Sequence, residues 1–195
     1  MNNKRIPLII GGILLLIIIW LISSYNSLVN KQEKMSQTWA EVQNTYQRRL
    51  DLIPNLVNVV KGAANFEQET LRKIAEARAN AQRNLGGLDP NAADYEAQKR
   101  SQDSLAASVN RLIILVEKYP DLKATKAFSD LQNQLEGTER RIRVARNDFN
   151  AAVASYNNKR RSFPTNLVGG IFGFKVRSGF AAEEGAEKPV EIKFN

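Results

Sequence analysis

Carboxylates in helical stretches are the residues whose types and spacing come nearest to a chemical centre in this chain: Glu67, Glu69, Glu136, Glu139 and Asp148. In helix bundles such groups hold bridged metals when facing helices add Glu-x-x-His motifs. The chain contains no histidine, so no such motif exists here, and the carboxylates read as solvated charges or as partners of nearby cations. Lack of histidine also removes the usual general base near neutral pH and every Ser-His or Cys-His arrangement. Cysteine is missing too, which excludes a thiolate nucleophile, a disulfide framework and a thiolate metal cluster. Gly169, Gly170 and Gly173 lack the strand-to-helix context of a phosphate-binding loop. The expectation is a protein with no catalytic residues, no cofactor and no metal.

Other residues look built to place structure. Arg49 falls at an inward position of an otherwise apolar stripe and needs a buried partner, for which Glu139 and Asp148 are the candidates. Asn150 and Asn157 each follow an aromatic residue one heptad apart and suit buried amide bonds that set helix register. The net charge is +8, with Arg140, Arg141, Arg143 and Arg146 on one stretch and Lys159, Arg160 and Arg161 at its end. A basic helix suits anionic lipid or nucleic acid. For a chain that also carries a membrane anchor, lipid is the expected partner and nucleic acid is not.

That anchor is the 6–22 run, close to the roughly 17 to 25 apolar residues a helix needs to cross a bilayer. Pro7 stands in its first turn, and Trp20 stands near the end, where indoles favour the interface. A cleavable signal peptide would end in small residues, and Ile22-Ser23-Ser24-Tyr25 is a poor site, so the segment is expected to stay. Lys4 and Arg5 precede it, which favours a cytoplasmic amino terminus and a bundle on the other side.

Beyond the anchor the apolar positions recur at helical steps. Phe128, Leu131, Leu135, Thr138, Ile142, Ala145, Phe149, Ala152 and Tyr156 alternate threes and fours, as a coiled-coil seam does, and Phe163 extends one column. An earlier segment runs through Leu28, Met35, Trp39, Val42, Tyr46, Ile53, Leu56 and Val60, in phase on both sides of Pro54, which predicts a helix that continues through the proline. A break is expected near Gly62, and a restart at Asp89-Pro90. Pro120 should close the third helix.

The expected fold is all-α: an N-terminal transmembrane helix, then an antiparallel bundle of three to four long helices, then an irregular Gly/Phe-rich segment. In ranges, this gives a basic start over 1–5, the anchor over 6–22, the bundle over 23–164, and the last segment with a loose tail over 165–195. Helix count decides where that last segment lies. Four helices return it to the membrane, and three leave it at the far tip. Phe172 and Phe174 are its candidates for contact with membrane or with another copy.

Several stretches together resemble the LemA family: Tyr25-Asn26-Ser27-Leu28-Val29, Arg48-Arg49-Leu50-Asp51-Leu52-Ile53-Pro54-Asn55-Leu56-Val57, and Ala75-Glu76-Ala77-Arg78-Ala79. Tyr119-Pro120-Asp121-Leu122-Lys123-Ala124, Leu135-Glu136-Gly137-Thr138-Glu139-Arg140-Arg141-Ile142, Ala145-Arg146-Asn147-Asp148-Phe149-Asn150, Tyr156-Asn157 and Ser162-Phe163-Pro164-Thr165-Asn166-Leu167 continue it. The pattern departs from the family at Ala63, where a Tyr is common, and at Phe66, where a His is common. The resemblance makes Tyr25, Asn26, Arg49, Pro54, Asn55, Glu139, Arg146, Asn150, Tyr156, Asn157, Phe163 and Pro164 the family-motif residues. It implies a membrane-anchored helical bundle of the bacterial envelope with no established enzymatic role. Self-assembly and membrane shaping have been proposed for relatives.

Two functions follow as expectations. The first is a homo-oligomer on the bacterial plasma membrane, its bundle periplasmic or extracellular, that organises or remodels lipid. The second is a membrane-held adaptor that recruits an envelope protease or stress-response partner through its basic helix.

Overall fold

The computed structural model describes residues 5–62, 66–85 and 95–180, with side chains from Leu8 onward. The described residues form six helices: α1 (Arg5–Lys61), α2 (Gln68–Leu85), α3 (Tyr95–Val116), α4 (Pro120–Lys123), α5 (Lys126–Arg161) and α6 (Thr165–Ile171). None of them is in a strand.

Helix α1 runs 57 residues without a break. It passes from the apolar rod into the bundle at residues 22–23, where sequence composition divides the two. At about 1.5 Å per residue it is about 85 Å long. Pro54 lies inside it, as the continuous phase predicts. A proline lacks the N–H that would bond the carbonyl four residues back, which here is that of Leu50. Arg78 on α2 takes up that carbonyl, its Nε donating to Leu50 O at 3.1 Å.

Direction follows from side-chain pairs. On α1 and α5, Leu28 lies in one cluster with Tyr156, Lys31 bonds Ser155 and Arg49 meets Glu139, so the two helices are antiparallel. Tyr95 packs on Trp39 and Gln102 on Arg49, so α3 runs parallel to α1, with α2 between them in the opposite sense. The four long helices thus go up, down, up, down, and the end of α5 comes back to the apolar rod. The expected restart at Asp89-Pro90 and the tail beyond residue 180 lie outside the described residues.

Thr125 opens α5 by accepting from the Phe128 N–H at 3.3 Å. Its buried face is Phe128, Leu131, Leu135, Thr138, Ile142, Ala145, Phe149, Val153 and Tyr156. Val153, not Ala152, completes that face, a step of four in place of three. The bulky column does not reach Phe163, because α5 stops at Arg161 and Phe163 is 81 % exposed. The segment expected to be irregular from residue 165 instead begins with α6, which turns Thr165, Val168 and Gly169 inward. Past it the chain is extended.

Candidate functional site

Most of the residues singled out by sequence fall into three places. At the membrane-side end, Leu8 to Ile10, Ile13 to Ile19 and Ile22 carry large apolar side chains that are about half or more exposed, as a helix in lipid would be. By length and composition this stretch of α1 is able to cross a membrane. Trp20 and Leu21 differ from it, packing partly against a small core of Leu28, Tyr156 and Val168. Tyr25 stacks edge-on with Phe172 at 5.0 Å and Phe174 at 5.6 Å. Phe174 is half-buried in this packing, whereas Phe172 stays 56 % exposed.

The second place is an extended strap. After Gly173, whose φ of 72° suits a residue without a Cβ, residues 174–180 run back up the bundle along α5. Arg160 Nε donates to Phe174 O at 2.6 Å, and Tyr156 donates to Lys175 O at 2.8 Å. Asn157 then grips one strap residue at both backbone groups, donating to Arg177 O at 2.7 Å and accepting from Arg177 N–H at 2.9 Å. Asn150 does the same to Phe180, at 3.2 and 2.8 Å. The spacing matches: seven residues of helix advance about 10.5 Å and three residues of extended chain about 10 Å. Two asparagines a heptad apart therefore meet every third strap residue, and their partner is the strap backbone. A Cβ on Gly179 would lie 2.5 Å from Asn150 Oδ1, so a side chain there would displace the clasp. Phe180 of the strap packs among Trp39, Tyr95 and Phe149.

The third place is a charge network inside the bundle. Arg49 is 2 % exposed. It donates to Gln102 O at 2.9 Å and meets Glu139 Oε1 at 2.5 Å, so Glu139 and not Asp148 is its anion. Burial pulls its guanidinium below the ordinary arginine value and the charge of Glu139 opposes that shift, but arginine keeps its proton in any case. Beside it, Arg146 donates to Tyr46 Oη at 2.8 Å and Asp103 Oδ1 at 2.7 Å. Burial opposes the charge of Arg146, and Tyr46 and Asp103 outweigh burial and hold it above its usual range. Burial pushes the Tyr46 hydroxyl up, against the attraction of Arg146. A cleft of about 680 Å³ opens onto these groups, with four cations, Arg49, Lys99, Arg143 and Arg146, against Asp103 and Glu139.

This arrangement suits the locking of helices in register. Among the described residues no cluster of acids, cysteines or histidines is placed to hold a metal. Sequence reasoning missed Gln98 and Gln102, both fully buried, and Asp103. The signal was present: 98, 102, 105, 109, 112 and 116 continue the α3 stripe backwards by fours and threes. Asn26, Pro54 and Asn55 are exposed and join none of the three places. Pro164 sits at the N-cap of α6 without a side-chain cap bond.

A family model described as LemA family matches residues 38–194, which covers most of the bundle and the strap. The chain belongs to the LemA family. Among curated relatives, Protein LemA of Metamycoplasma hominis is 28 % identical, across 73 % of this chain and 62 % of that protein. This LemA-family chain thus spans about three-fifths of that relative's length. Magnetosome protein MamQ 2 of Paramagnetospirillum magneticum and Magnetosome protein MamQ of Magnetospirillum gryphiswaldense are each 23 % identical, across 87 % of the chain and 69 % of their own length. None of these names is that of an enzyme. Fold, apolar helix and relatives agree on a membrane-associated helical protein.

Proposed function

We propose that this LemA-family chain is a non-enzymatic, membrane-anchored bundle of the bacterial envelope that self-assembles and organises or remodels the membrane that holds it. The observation that carries this reading is the continuity of α1 from the apolar rod into the bundle core. With Ser24 and Leu28 already buried against the rest of the bundle, no flexible linker separates the rod from the body. The tilt of the body therefore transmits to the lipid around the rod, and neighbouring copies act on the bilayer as rigid wedges. Relatives named as magnetosome proteins support a membrane setting. The bundle lies on the periplasmic or extracellular side of the plasma membrane in this proposal, from the cations before the rod.

Purified full-length protein reconstituted into liposomes tests the proposal. Crosslinked oligomers and altered vesicle shape by electron cryomicroscopy are the expected result. Monomers in unchanged vesicles overturn it. Sidedness is read separately with Asn195→Cys and an impermeant thiol reagent on intact cells, because the chain has no other cysteine.

A second reading, an adaptor for an envelope protein, draws on the exposed Arg140, Arg141 and Arg143 of α5. Crosslinking in cells would then recover one stoichiometric partner, and reversing these three charges would abolish that recovery.

A further inference from the structure

The membrane-side end carries more exposed apolar surface than the rod alone. Phe163 is 81 % exposed, Leu167 55 %, Ile171 75 % and Phe172 56 %, all within the ten residues that form and flank α6. Four exposed large apolar side chains within so short a stretch are unusual for a surface that meets water. The inward face of α6 explains its orientation: Val168 packs with Leu28 and Tyr156, and Thr165 and Gly169 are buried beside it, so Leu167 and Ile171 turn away from the bundle.

Three observations say what covers this face. First, α6 stands level with the end of the rod, because Trp20 and Leu21 pack against the same small core and Tyr25 touches Phe172. Second, the rod is short. At about 1.5 Å per residue the 6–22 run covers about 25 Å, against a hydrocarbon core of about 30 Å, so the lipid surface reaches the level of residues 23–25, where α6 lies. Third, this end is positive throughout. No acidic residue occurs in 149–182 or before Glu33, while Lys159, Arg160, Arg161, Lys175 and Arg177 lie in the first of these stretches and Lys31 in the second. Exposed apolar side chains in a stretch whose charges are all cations match the boundary between acyl chains and anionic headgroups.

We infer that Phe163, Leu167, Ile171 and Phe172 form an apolar collar that enters the headgroup layer of the leaflet from which α1 emerges, with anionic lipid as its preferred surface. The chain thereby meets the membrane twice, once through it and once along it. The inference rests on the anchoring part of the proposed function, and it reassigns Phe174 from that contact to internal packing.

The test uses single-cysteine, spin-labelled full-length chains in vesicles of equal parts phosphatidylcholine and phosphatidylglycerol. Leu167→Cys and Ile171→Cys report on the collar, Ile17→Cys on the rod and Val144→Cys on the exposed bundle surface. Collisions with oxygen and with a water-soluble nickel chelate are compared. The expected result is an oxygen-to-nickel ratio at 167 and 171 several-fold above that at 144 and approaching that at 17, falling when phosphatidylglycerol is left out. If 167 and 171 behave like 144 while 17 stays in lipid, the collar is wrong and the anchor stands. If 17 is also water-exposed, the anchoring itself fails and the collar falls with it. Spectral broadening at 167 and 171 that disappears on dilution with unlabelled chain would assign the face to a second copy and also overturn the collar. Helix content measured on each variant shows that the substitutions leave the fold intact, as is expected for exposed positions.

Discussion

The two ends of the bundle are built differently. Toward the far tip four helices surround an aliphatic core that includes Leu50, Ile53, Leu56, Ile74, Leu105 and Leu112. Toward the membrane the core is aromatic, with Trp39, Tyr46 and Phe149 of α1 and α5 joined by Tyr95 at the start of α3 and closed by Phe180 from the strap, and beyond Tyr95 and Leu85 α1 and α5 continue as a pair. Two helices present only one seam to each other, so a core between them stays open on both sides. Large rings widen that seam and an extended strap closes one flank. Polar groups do at the membrane end what a helix does at the far end: Asn150 and Asn157 satisfy a strap backbone that has no sheet to join.

The largest effect should come from the aromatic core. Phe149→Ala is expected to cost about 3–5 kcal/mol, as large truncations in packed cores do. Its thermal unfolding should be accompanied by early proteolysis within 174–180. Leu56→Ala in the far core should cost about 2–5 kcal/mol and leave the strap protected. Equal strap cleavage in both variants would dissolve the distinction between the two ends.

Removing both clasps, with Asn150→Ala and Asn157→Ala together, should act locally. Each leaves strap backbone groups unpaired, at about 1–3 kcal/mol apiece where they are buried. Hydrogen exchange gives a direct view, because the Arg177 and Phe180 amides donate to these side chains. Those two amides should lose protection while the amides of α2 keep theirs.

At the far end, Arg78→Ala uncovers the Leu50 carbonyl and should cost about 1–2 kcal/mol. Pro54→Ala supplies an N–H for the same carbonyl, so the Arg78 effect should shrink in that background. A double-mutant cycle with purely additive costs would show that the pairing is incidental.

The smallest effect is one of pH. Burial raises the Tyr46 hydroxyl, and also those of Tyr95 and Tyr156, all in the membrane-side half. A raised folded-state value means that their contribution is fully present below the ordinary tyrosine value of about 10 and is lost as pH rises beyond it. Urea midpoints should fall across that range, and Tyr46→Phe should flatten the fall. A slope unchanged by that substitution would place the sensitivity elsewhere.

Local period made much of this legible. Helices announce themselves through apolar steps of three and four, and the unbroken phase across Pro54 told a continuing helix from a turn, since a reversal would have reset it. Arg49 was conspicuous as a charge on a buried stripe. Gln98 and Gln102 passed unnoticed because an amide on a stripe looks like surface until a neighbouring helix covers it. Phe163 was misplaced because a column of rings carries no record of where its helix stops. The heptad spacing of Asn150 and Asn157 was visible, but spacing names no partner, and the strap that they hold has no period of its own.

By itself the sequence determined the helical class, the apolar rod, the absence of histidine and cysteine chemistry and the inward faces, since each depends on residues a few positions apart or on composition alone. Only the tertiary structure decided that α5 returns to the rod, that Glu139 meets Arg49, that the strap runs back along α5 to the aromatic core, and that the outward face of α6 is level with the end of the rod. Those outcomes join residues that lie far apart along the chain, where packing and chain reversal choose the partner and no repeating pattern carries the information.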